Sequence, residues 1–304
     1  MTALPRIVYI AGYGRSGSTL LNRLLGQQPD ICGAGELARI TDWIESPRPC
    51  GCGELIAECD FWTRVRRRLP ASAKAGHGWQ TAIESAIALA VGYWWIPVRE
   101  REKYRDLQRR LFGAIGEADG ASIVVDSSKS ALRIAGRANA LRVIAQLDVL
   151  VVHLVRNPHA VLESLRKGTN KELEGRRDGP RKFRRARAFL GWSLANWAAL
   201  RFAGRLPQGS ALRVDYEELV SDAQPILTDV GRMLGRPVDR IRAVLDGRES
   251  ERIQHVAEGN RMRRDSLQLI AAAPPSPSFL DLALCTLLCG LTCRRLGLRM
   301  SGRR

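Results

Sequence analysis

The chain has 304 residues, 45% of them hydrophobic, and 48 Lys and Arg against 31 Asp and Glu give a net charge of +17. This length can bury a substantial core, and because no internal linker is long enough to separate two units, we predict one large domain. The composition does not match a secreted scaffold held by disulfides. The basic surface attracts anions, so nucleic acid, an acidic membrane face and a charged nucleotide are candidate partners. The alternative is a generally basic, Arg-rich surface that is solvated and binds no particular partner.

Apolar segments bounded by turn residues predict four strands, at residues 6–11, 122–125, 149–155 and 211–214. A helical pattern follows each of them, which predicts an α/β fold with a central, mostly parallel sheet and helices on both faces. No charged and then apolar leader separates Met1 from the first strand. Folding in the cytoplasm is therefore expected.

The first strand runs into residues 12–19, Gly-Tyr-Gly-Arg-Ser-Gly-Ser-Thr. Gly12 and Gly17 have the spacing of the glycines in a G-x-x-x-x-G-K-[ST] phosphate loop, with a helix predicted over residues 16–26. Ser18 stands where that motif has Lys, which argues against a nucleoside triphosphate. A cation is still present, because Arg15 lies within the loop. The segment is therefore predicted to bind phosphate, whereas a packing turn would leave Arg15 unexplained.

The region between the first two predicted strands carries a cysteine-rich loop and then helical sequence at 80–118, interpreted as a helical insertion spanning about residues 60–118. Cys50, Cys52 and Cys59 offer three soft ligands and Cys32 a fourth. The C-x-C spacing is not the usual one of a zinc knuckle. We therefore predict a structural knot in a loop and no metal site.

The second predicted strand ends in residues 126–129, Asp-Ser-Ser-Lys, which open the next helix. A helix start is an unfavourable place for Lys129 unless an anion lies nearby, although an ordinary surface cation remains the alternative. Asp126 follows an apolar strand, which is also where a triphosphatase holds magnesium. The missing loop lysine makes that the weaker interpretation.

The third predicted strand ends in Arg156, and Pro158 suits the first turn of the helix that follows. Arg156 and Ser164 are both placed to face the carboxyl edge of the sheet, where doubly wound folds bind ligands. One guanidinium and one hydroxyl make a second phosphate site plausible.

The C-terminal part contains a helical segment at 179–205, interpreted as a solvated amphipathic helix, and a proline-rich linker at 271–278. The apolar stretch 279–298 is interrupted by Asp281 and by Arg294 and Arg295, so it is too short for a convincing membrane span. The same stretch carries Cys285, Cys289 and Cys293, whose spacing of four residues puts them on one face of a helix. Free cysteines on such a face usually act as small buried side chains. We predict a packed C-terminal helix, with peripheral membrane contact as the alternative. The division is thus residues 1–270 as the main domain and 271–304 as linker and helix.

Two segments together resemble the sulfotransferases that use 3′-phosphoadenosine 5′-phosphosulfate. Residues 12–21 are similar to the 5′-phosphosulfate loop of that family, and residues 155–164 to its 3′-phosphate motif. Further similarity lies at 214–220 and at 255–260 with Arg263, so the likeness covers most of the chain except the last helix. The bacterial, tyrosylprotein and carbohydrate branch is closer, because the phenol and steroid enzymes carry Lys in place of Arg15. The resemblance implies a P-loop-like three-layer fold.

The resemblance implies sulfuryl transfer without a required metal, with Arg15 and Lys129 as stabilising cations and Glu36 as the base. A Glu near a helix N-terminus is also simply a favourable charge placement. None of His153, His159 and His255 has a spacing that favours it as the base. The implied nucleotide contacts are Gly14, Arg15, Ser16, Gly17, Ser18, Thr19, Arg156, Ser164, Tyr216, Asn260 and Arg263, with Arg261 and Arg264 as alternatives to Arg263.

Two other functions compete with this prediction. One is a P-loop kinase or triphosphatase, against which Ser18 counts. The other is a basic protein that binds nucleic acid or a membrane surface, which has no need for two phosphate motifs at sheet edges. We regard nucleic acid as the less suitable partner. The acceptor, whether a small molecule, a glycan, a lipid or a peptide tyrosine, and the oligomeric state carry no signature in the sequence.

Overall fold

The computed structural model describes residues 3–88, 92–129, 136–166, 184–257, 266–270 and 276–298. Its centre is one sheet of five parallel strands in the order β2-β3-β1-β4-β5. The strands are β1 (Arg6–Ala11), β2 (Ile31–Gly35), β3 (Ile123–Asp126), β4 (Val149–Val155) and β5 (Ala211–Asp215). The α/β fold with a parallel central sheet is as predicted. The four predicted strands are found to within one residue, and β2 is the short stretch before Glu36.

Continuous apolar sequence explains why the central strands were recognisable. All seven residues of β4 are buried, as are the last five of β1. Helices cover both faces of a parallel sheet, so such strands have no alternating polar face. Ile7 and Tyr9 of β1 pack on one side of the sheet, whereas Val8 and Ile10 pack on the other.

The helices lie around this sheet and within the connections between its strands. Their bounds are α1 (Ser18–Leu25), α2 (Ile40–Trp43), α3 (Asp60–Arg68), α4 (Gly76–Ala88), α5 (Gly92–Trp95), α6 (Val98–Asp119), α7 (Arg137–Val143), α8 (Pro158–Arg166), α9 (Arg184–Ala203), α10 (Tyr216–Ser221), α11 (Ala223–Leu234), α12 (Asp239–Leu245) and α13 (Phe279–Arg295). Short 3-10 turns occupy Leu37–Arg39 and Ala71–Ala75. Side chains of α3, α6 and α7 pack on one face of the sheet, and those of α1, α11 and α12 on the other. The fold therefore has three layers, and α3 to α6 form the helical insertion between β2 and β3.

The C-terminal helix α13 packs against α8 and α9 through its three cysteines. The Cys289 thiol donates to the carbonyl of Phe189 at 3.3 Å, and Asp281 is held by Arg166 at 2.8 Å. This packing agrees with the predicted helix. Within the described ranges, no helix is long and apolar enough to cross a bilayer. The face turned away from α9 exposes Leu287 and Leu291, and peripheral membrane contact there stays a prediction.

The helix α9 is amphipathic, as the sequence indicates. Trp192 and Asn196 on its inner face are completely buried, whereas Leu190 and Trp197 are exposed. The Oδ1 of Asn196 accepts from Nε2 of His153 in β4 at 2.9 Å. Since α9 packs both on the sheet and on α13, one of its faces belongs to the core.

Candidate active site

A small cavity lies at the carboxyl edge of the sheet, where every strand is followed by a residue of the predicted site. Its volume is about 140 Å³. The lining residues are Gly14, Arg15, Gly17, Ser18, Thr19, Leu20, Glu36, Lys129, Arg156, Ser164 and Tyr216. The first six belong to the β1 loop and α1, and the others follow β2, β3, β4 and β5 in turn. Ten of the predicted site residues therefore converge on one space.

The phosphate loop connects β1 to α1 through left-handed backbone. Gly12 has a φ of 140° and Gly17 a φ of 94°, and α1 begins at the next residue. Arg15 also has a positive φ, of 70°, which a side chain other than glycine adopts at a cost of about 1–2 kcal/mol. Such a turn points successive N–H groups into one concavity at a helix N-terminus, as anion binding requires. Ser16 does not line the cavity, since it is buried behind the loop.

Gly17 is required by space as well as by its dihedral angle. A Cβ at this position would overlap the ring of Tyr216. We expect Gly17→Ala to lower the free energy of unfolding by about 2–4 kcal/mol, since left-handed strain adds to the steric overlap. Denaturant titration measures this change.

Gly78→Ala serves as the matched control for that variant. Gly78 lies in α4 with nothing within 4 Å of an added Cβ. Alanine there should leave the protein as stable or stabilise it by up to about 1 kcal/mol. Equal stability of the two variants would show that the Tyr216 ring and the loop backbone relax without cost.

The two predicted phosphate motifs are in direct contact. Arg15 donates from Nε to the Ser164 hydroxyl at 3.1 Å, and Arg156 donates to the carbonyl of Arg15 at 2.9 Å. The Arg156 guanidinium lies over the ring of Tyr216, 4.3 Å from its centroid. The buried Nε of Arg156 has no hydrogen bond within the described part of the chain. The nearest carboxylate oxygen to this Nε belongs to Glu217, at 4.0 Å.

Two residues that contact Arg156 were not predicted from the sequence. Trp192 of α9 donates from its indole to the Arg156 carbonyl at 2.9 Å. Glu217 accepts from the N–H of Asn157 at 3.2 Å and lies 4.0 Å from Arg156. Burial, together with the neighbouring Asp215, raises the pKa of Glu217 to about 7. Only Tyr216 had been assigned from this segment, and no local signal marks Glu217.

Glu36 and Lys129 form an ion pair across the cavity. Their side chains keep 26% and 17% of their surface exposed, so both reach the open space. Lys129 has a φ of 69°, and its carbonyl accepts from the hydroxyl of Tyr9 at 2.5 Å. Residues with strained backbone conformations cluster at active sites and ligand-binding sites. The β2 and β3 edges thus present one carboxylate and one ammonium to the same space.

Asp126 lies behind this pair and does not line the cavity. Its carboxylate accepts from the N–H and hydroxyl of Ser128 and from Arg137 at 2.8 Å. Arg137, also fully buried, donates to Glu84 at 2.7 Å. Burial raises the pKa of Glu84, and Arg137 opposes that shift. Ser128 and Arg137 engage both carboxylate oxygens of Asp126, which favours a structural role over the magnesium ligand that the sequence made the weaker interpretation.

Four residues of the predicted nucleotide site fall outside the described residues: Asn260, Arg261, Arg263 and Arg264. The three histidines that were weighed as the base do not line the cavity. His153 is buried in β4, where burial lowers its pKa to about 4, as suits a core residue. His159 is buried in α8 against Phe189, and His255 contacts the cysteines of the loop before α3.

A wider depression of about 710 Å³ lies at the opposite edge of the sheet, between Leu4, Arg109 and Leu147. It contains none of the predicted site residues, and its charged lining consists of Arg68, Arg109, Arg110, Glu117 and Asp148. The residues of both predicted phosphate motifs therefore converge on the smaller of the two cavities.

A profile described as the sulfotransferase family matches residues 5–240, well over half of the chain. No curated protein matches the sequence. The chain is similar in fold to the sulfotransferase domain from the curacin biosynthetic pathway, with a TM-score of 0.53 and 19% identity over 99% of this chain and 100% of that one.

Two further solved structures are similar. The sulfotransferase domain of the Synechococcus PCC 7002 olefin synthase gives a TM-score of 0.51 at 20% identity, covering 94% of this chain and 96% of that one. Sulfotransferase STF9 of Mycobacterium avium gives 0.50 at 16% identity, covering 99% and 79%. At these identities the likeness concerns the fold alone.

Proposed function

Since this chain belongs to the sulfotransferase family, we propose that it transfers the sulfuryl group of 3′-phosphoadenosine 5′-phosphosulfate to an acceptor hydroxyl. The observation that carries this proposal is the convergence of a phosphate loop, three cations and one carboxylate on a single cavity. The proposed acceptor class is a small molecule, a glycan or a lipid, and the proposed location is the cytoplasm.

The two phosphate motifs would divide the donor nucleotide between them. The N–H groups of the β1 loop and the α1 N-terminus suit the 5′-phosphosulfate. Arg156 and Ser164 suit the 3′-phosphate, and the presence of both in the lining of the cavity supports this assignment. Tyr216 would hold Arg156 by the cation–π contact. Asn260 and Arg263 are proposed as further nucleotide contacts on the resemblance alone.

Transfer requires an in-line nucleophile, a proton acceptor and cations near the oxygens that gain charge. When bound, the donor supplies the sulfuryl group: the acceptor oxygen bonds to sulfur as the bond from sulfur to the 5′-phosphate oxygen breaks. In this proposal Glu36 takes the acceptor proton. Lys129 and Arg15 stabilise the sulfuryl and departing phosphate oxygens, and the proposed steps use no protein-bound metal.

The ion pair between Glu36 and Lys129 supports this division of roles. Lys129 can move its ammonium from the carboxylate to a sulfuryl oxygen, which leaves Glu36 free to accept a proton. Because Glu36 is not fully buried, proton loss late in the transition state suits it better than early abstraction.

A kinase or triphosphatase is less well supported. Ser18 occupies the position of the lysine that reaches the β- and γ-phosphates. Asp126 follows an apolar strand, where such enzymes hold magnesium, but its carboxylate already accepts hydrogen bonds from Arg137 and Ser128. The net charge of +17 is compatible with binding of acidic polymers but explains none of the cavity.

Calorimetry with adenosine 3′,5′-bisphosphate tests the proposal. We expect binding at micromolar concentrations without magnesium, and weaker binding of adenosine 5′-monophosphate, which lacks the 3′-phosphate held by Arg156 and Ser164. No binding of the bisphosphate, together with tight binding of ATP and magnesium, would overturn the proposal. Equal affinity for the two adenosine nucleotides would remove only the assigned role of Arg156 and Ser164.

A further inference from the structure

Four potential metal ligands lie together outside the cavity. They are Cys50, Cys52 and Cys59 of the loop before α3 and His255 near the end of the described range 184–257, and their ligand atoms all lie within 4.8 Å of one another. The sulfurs of Cys52 and Cys59 are 3.8 Å apart. The Nδ1 of His255 lies 3.2 Å from the Cys59 sulfur and 3.9 Å from the Cys50 sulfur.

These distances match a tetrahedral metal site. With zinc bonds of about 2.3 Å to sulfur and about 2.0–2.1 Å to nitrogen, tetrahedral angles put two sulfurs about 3.8 Å apart and a sulfur and a nitrogen about 3.6 Å apart. The two sulfur to nitrogen distances at His255 bracket the expected value. The sulfurs are also well beyond the disulfide bond length of about 2.05 Å.

The backbone of the loop is built to bring these ligands together. Gly51 donates from its N–H to the Val256 carbonyl at 3.0 Å. A Cβ on Gly51 would come within 2.5 Å of the Gln254 carbonyl, so the C-x-C spacing here depends on glycine between the two cysteines. Cys50 donates from its N–H to the Glu54 carbonyl at 2.7 Å, which closes the turn. This turn explains how an unusual spacing can still present two thiols to one point.

The histidine is held in place from the other side. Its ring stacks on Phe61 of α3, with centroids 4.7 Å apart and an angle of 4° between the planes. Cys59 immediately precedes α3, and the N–H groups of Phe61 and Trp62 hydrogen-bond to its sulfur. Such second-shell contacts fix ligand orientation in metal sites. When Nδ1 binds a metal ion, Nε2 carries the ring proton of a neutral imidazole.

We propose that Cys50, Cys52, Cys59 and Nδ1 of His255 bind one Zn²⁺ ion in a structural site. Four protein ligands complete the tetrahedron and leave no open position for a substrate. Binding converts the three thiols to thiolates, and their three protons pass to solvent. The site revises the metal-free knot expected from the sequence, because His255 and not Cys32 supplies the fourth ligand.

The donor set favours zinc over other ions. Soft thiolates with one imidazole suit Zn²⁺ and disfavour Mg²⁺ and Ca²⁺, which take oxygen ligands. An iron–sulfur cluster is usually held by four cysteines. Three thiolates and Zn²⁺ leave a net charge of −1. The charged groups around His255 carry both signs, because Arg252 pairs with Asp119 at 2.9 Å and Arg64 with Asp60 at 3.2 Å, while Glu54 lies 3.9 Å from the Cys52 sulfur.

The ion would connect two distant parts of the sequence. Cys59 and His255 are 196 residues apart. The segment before and after His255 runs beside β2, where Ala257 donates to the Ala34 carbonyl at 3.1 Å. The site therefore ties the loop before α3 and the segment around His255 to the same edge of the sheet that carries Glu36.

Metal analysis of the full-length protein tests this inference. After purification without added zinc and dialysis against a mild chelator, we expect about one Zn²⁺ per chain by elemental mass spectrometry. Cys52→Ala, which changes the most exposed of the three thiols, should lower zinc content at least tenfold. Cys293→Ala, which alters a buried cysteine of α13, should retain the full equivalent.

Cobalt substitution covers the case in which Cys52→Ala does not fold. The wild-type protein reloaded with Co²⁺ should show thiolate-to-cobalt charge transfer and the intense visible bands of a tetrahedral ion, and His255→Ala should weaken or shift both. A wild-type protein that holds less than a tenth of an equivalent of zinc and takes up neither ion would overturn the inference. A disulfide mapped among the three cysteines would do the same. These measurements use neither donor nor acceptor, so they are independent of sulfuryl transfer.

Discussion

Replacing Glu36 by glutamine is expected to lower the turnover number by about 10²–10⁴-fold, the usual contribution of a general base. Glutamine keeps the size of the side chain beside Lys129 but accepts no proton. Affinity for adenosine 3′,5′-bisphosphate should stay within about twofold, because Glu36 is assigned to the acceptor and not to the nucleotide. Steady-state transfer from radiolabelled donor gives the first quantity and calorimetry the second.

Glu45→Gln provides the matched control, since Glu45 is exposed and does not line the cavity. It should leave both quantities unchanged. Turnover of the Glu36 variant at the wild-type rate would remove Glu36 from the mechanism. A parallel loss of nucleotide affinity and turnover would instead indicate that the pair with Lys129 shapes the donor site.

For Arg15→Ala we expect kcat/KM to fall by about 10³-fold, because one guanidinium is assigned both to donor binding and to charge that develops during transfer. The variant also removes the hydrogen bonds to Ser164, at 3.1 Å to its hydroxyl and 3.3 Å to its carbonyl. Arg15→Lys restores the charge but not the forked geometry, so it should recover only part of the loss. The measurement is kcat/KM for the donor at a fixed acceptor concentration.

Arg15→Gly separates chemistry from folding at this position. Glycine adopts the φ of 70° without strain, so this variant should lose activity as alanine does while unfolding at a denaturant concentration no lower than the wild type. Arg205→Ala, at an exposed arginine after α9, should keep full activity. A loss of less than tenfold in both Arg15→Ala and Arg15→Gly would contradict the assigned role.

Four of the five strands and the two phosphate motifs could be predicted because each is encoded by a short, continuous stretch of sequence. Buried parallel strands are continuous apolar runs, and β1 and β4 were recognised on that basis. Likewise, the phosphate loop and the Arg156 motif each occupy about ten consecutive residues. Parallel strands place their carboxyl ends at one edge, so the convergence of Arg15 and Arg156 followed from the strand assignment.

What could not be predicted depends on contacts between distant segments. His255 reaches the cysteine cluster only after the chain has folded back over almost 200 residues, and Cys32 was the nearer candidate in sequence. Arg137 has no motif, yet its burial between Asp126 and Glu84 decides that Asp126 does not face the cavity. Trp192 lies in the apolar part of a helix predicted to be amphipathic, but the contact of its indole with the Arg156 carbonyl depends on another element and has no local signal.

The position of one site residue after each of the five strands has a consequence for stability. No subset of strands completes the cavity, so partial unfolding of the sheet from either edge abolishes ligand binding. A nucleotide should thus protect backbone amides of β2 and β5, at opposite edges, from hydrogen exchange to a similar degree. At about 100 times its dissociation constant, such a ligand adds about 2.7 kcal/mol to the free energy of global unfolding. The donor would make the whole sheet a single cooperative unit.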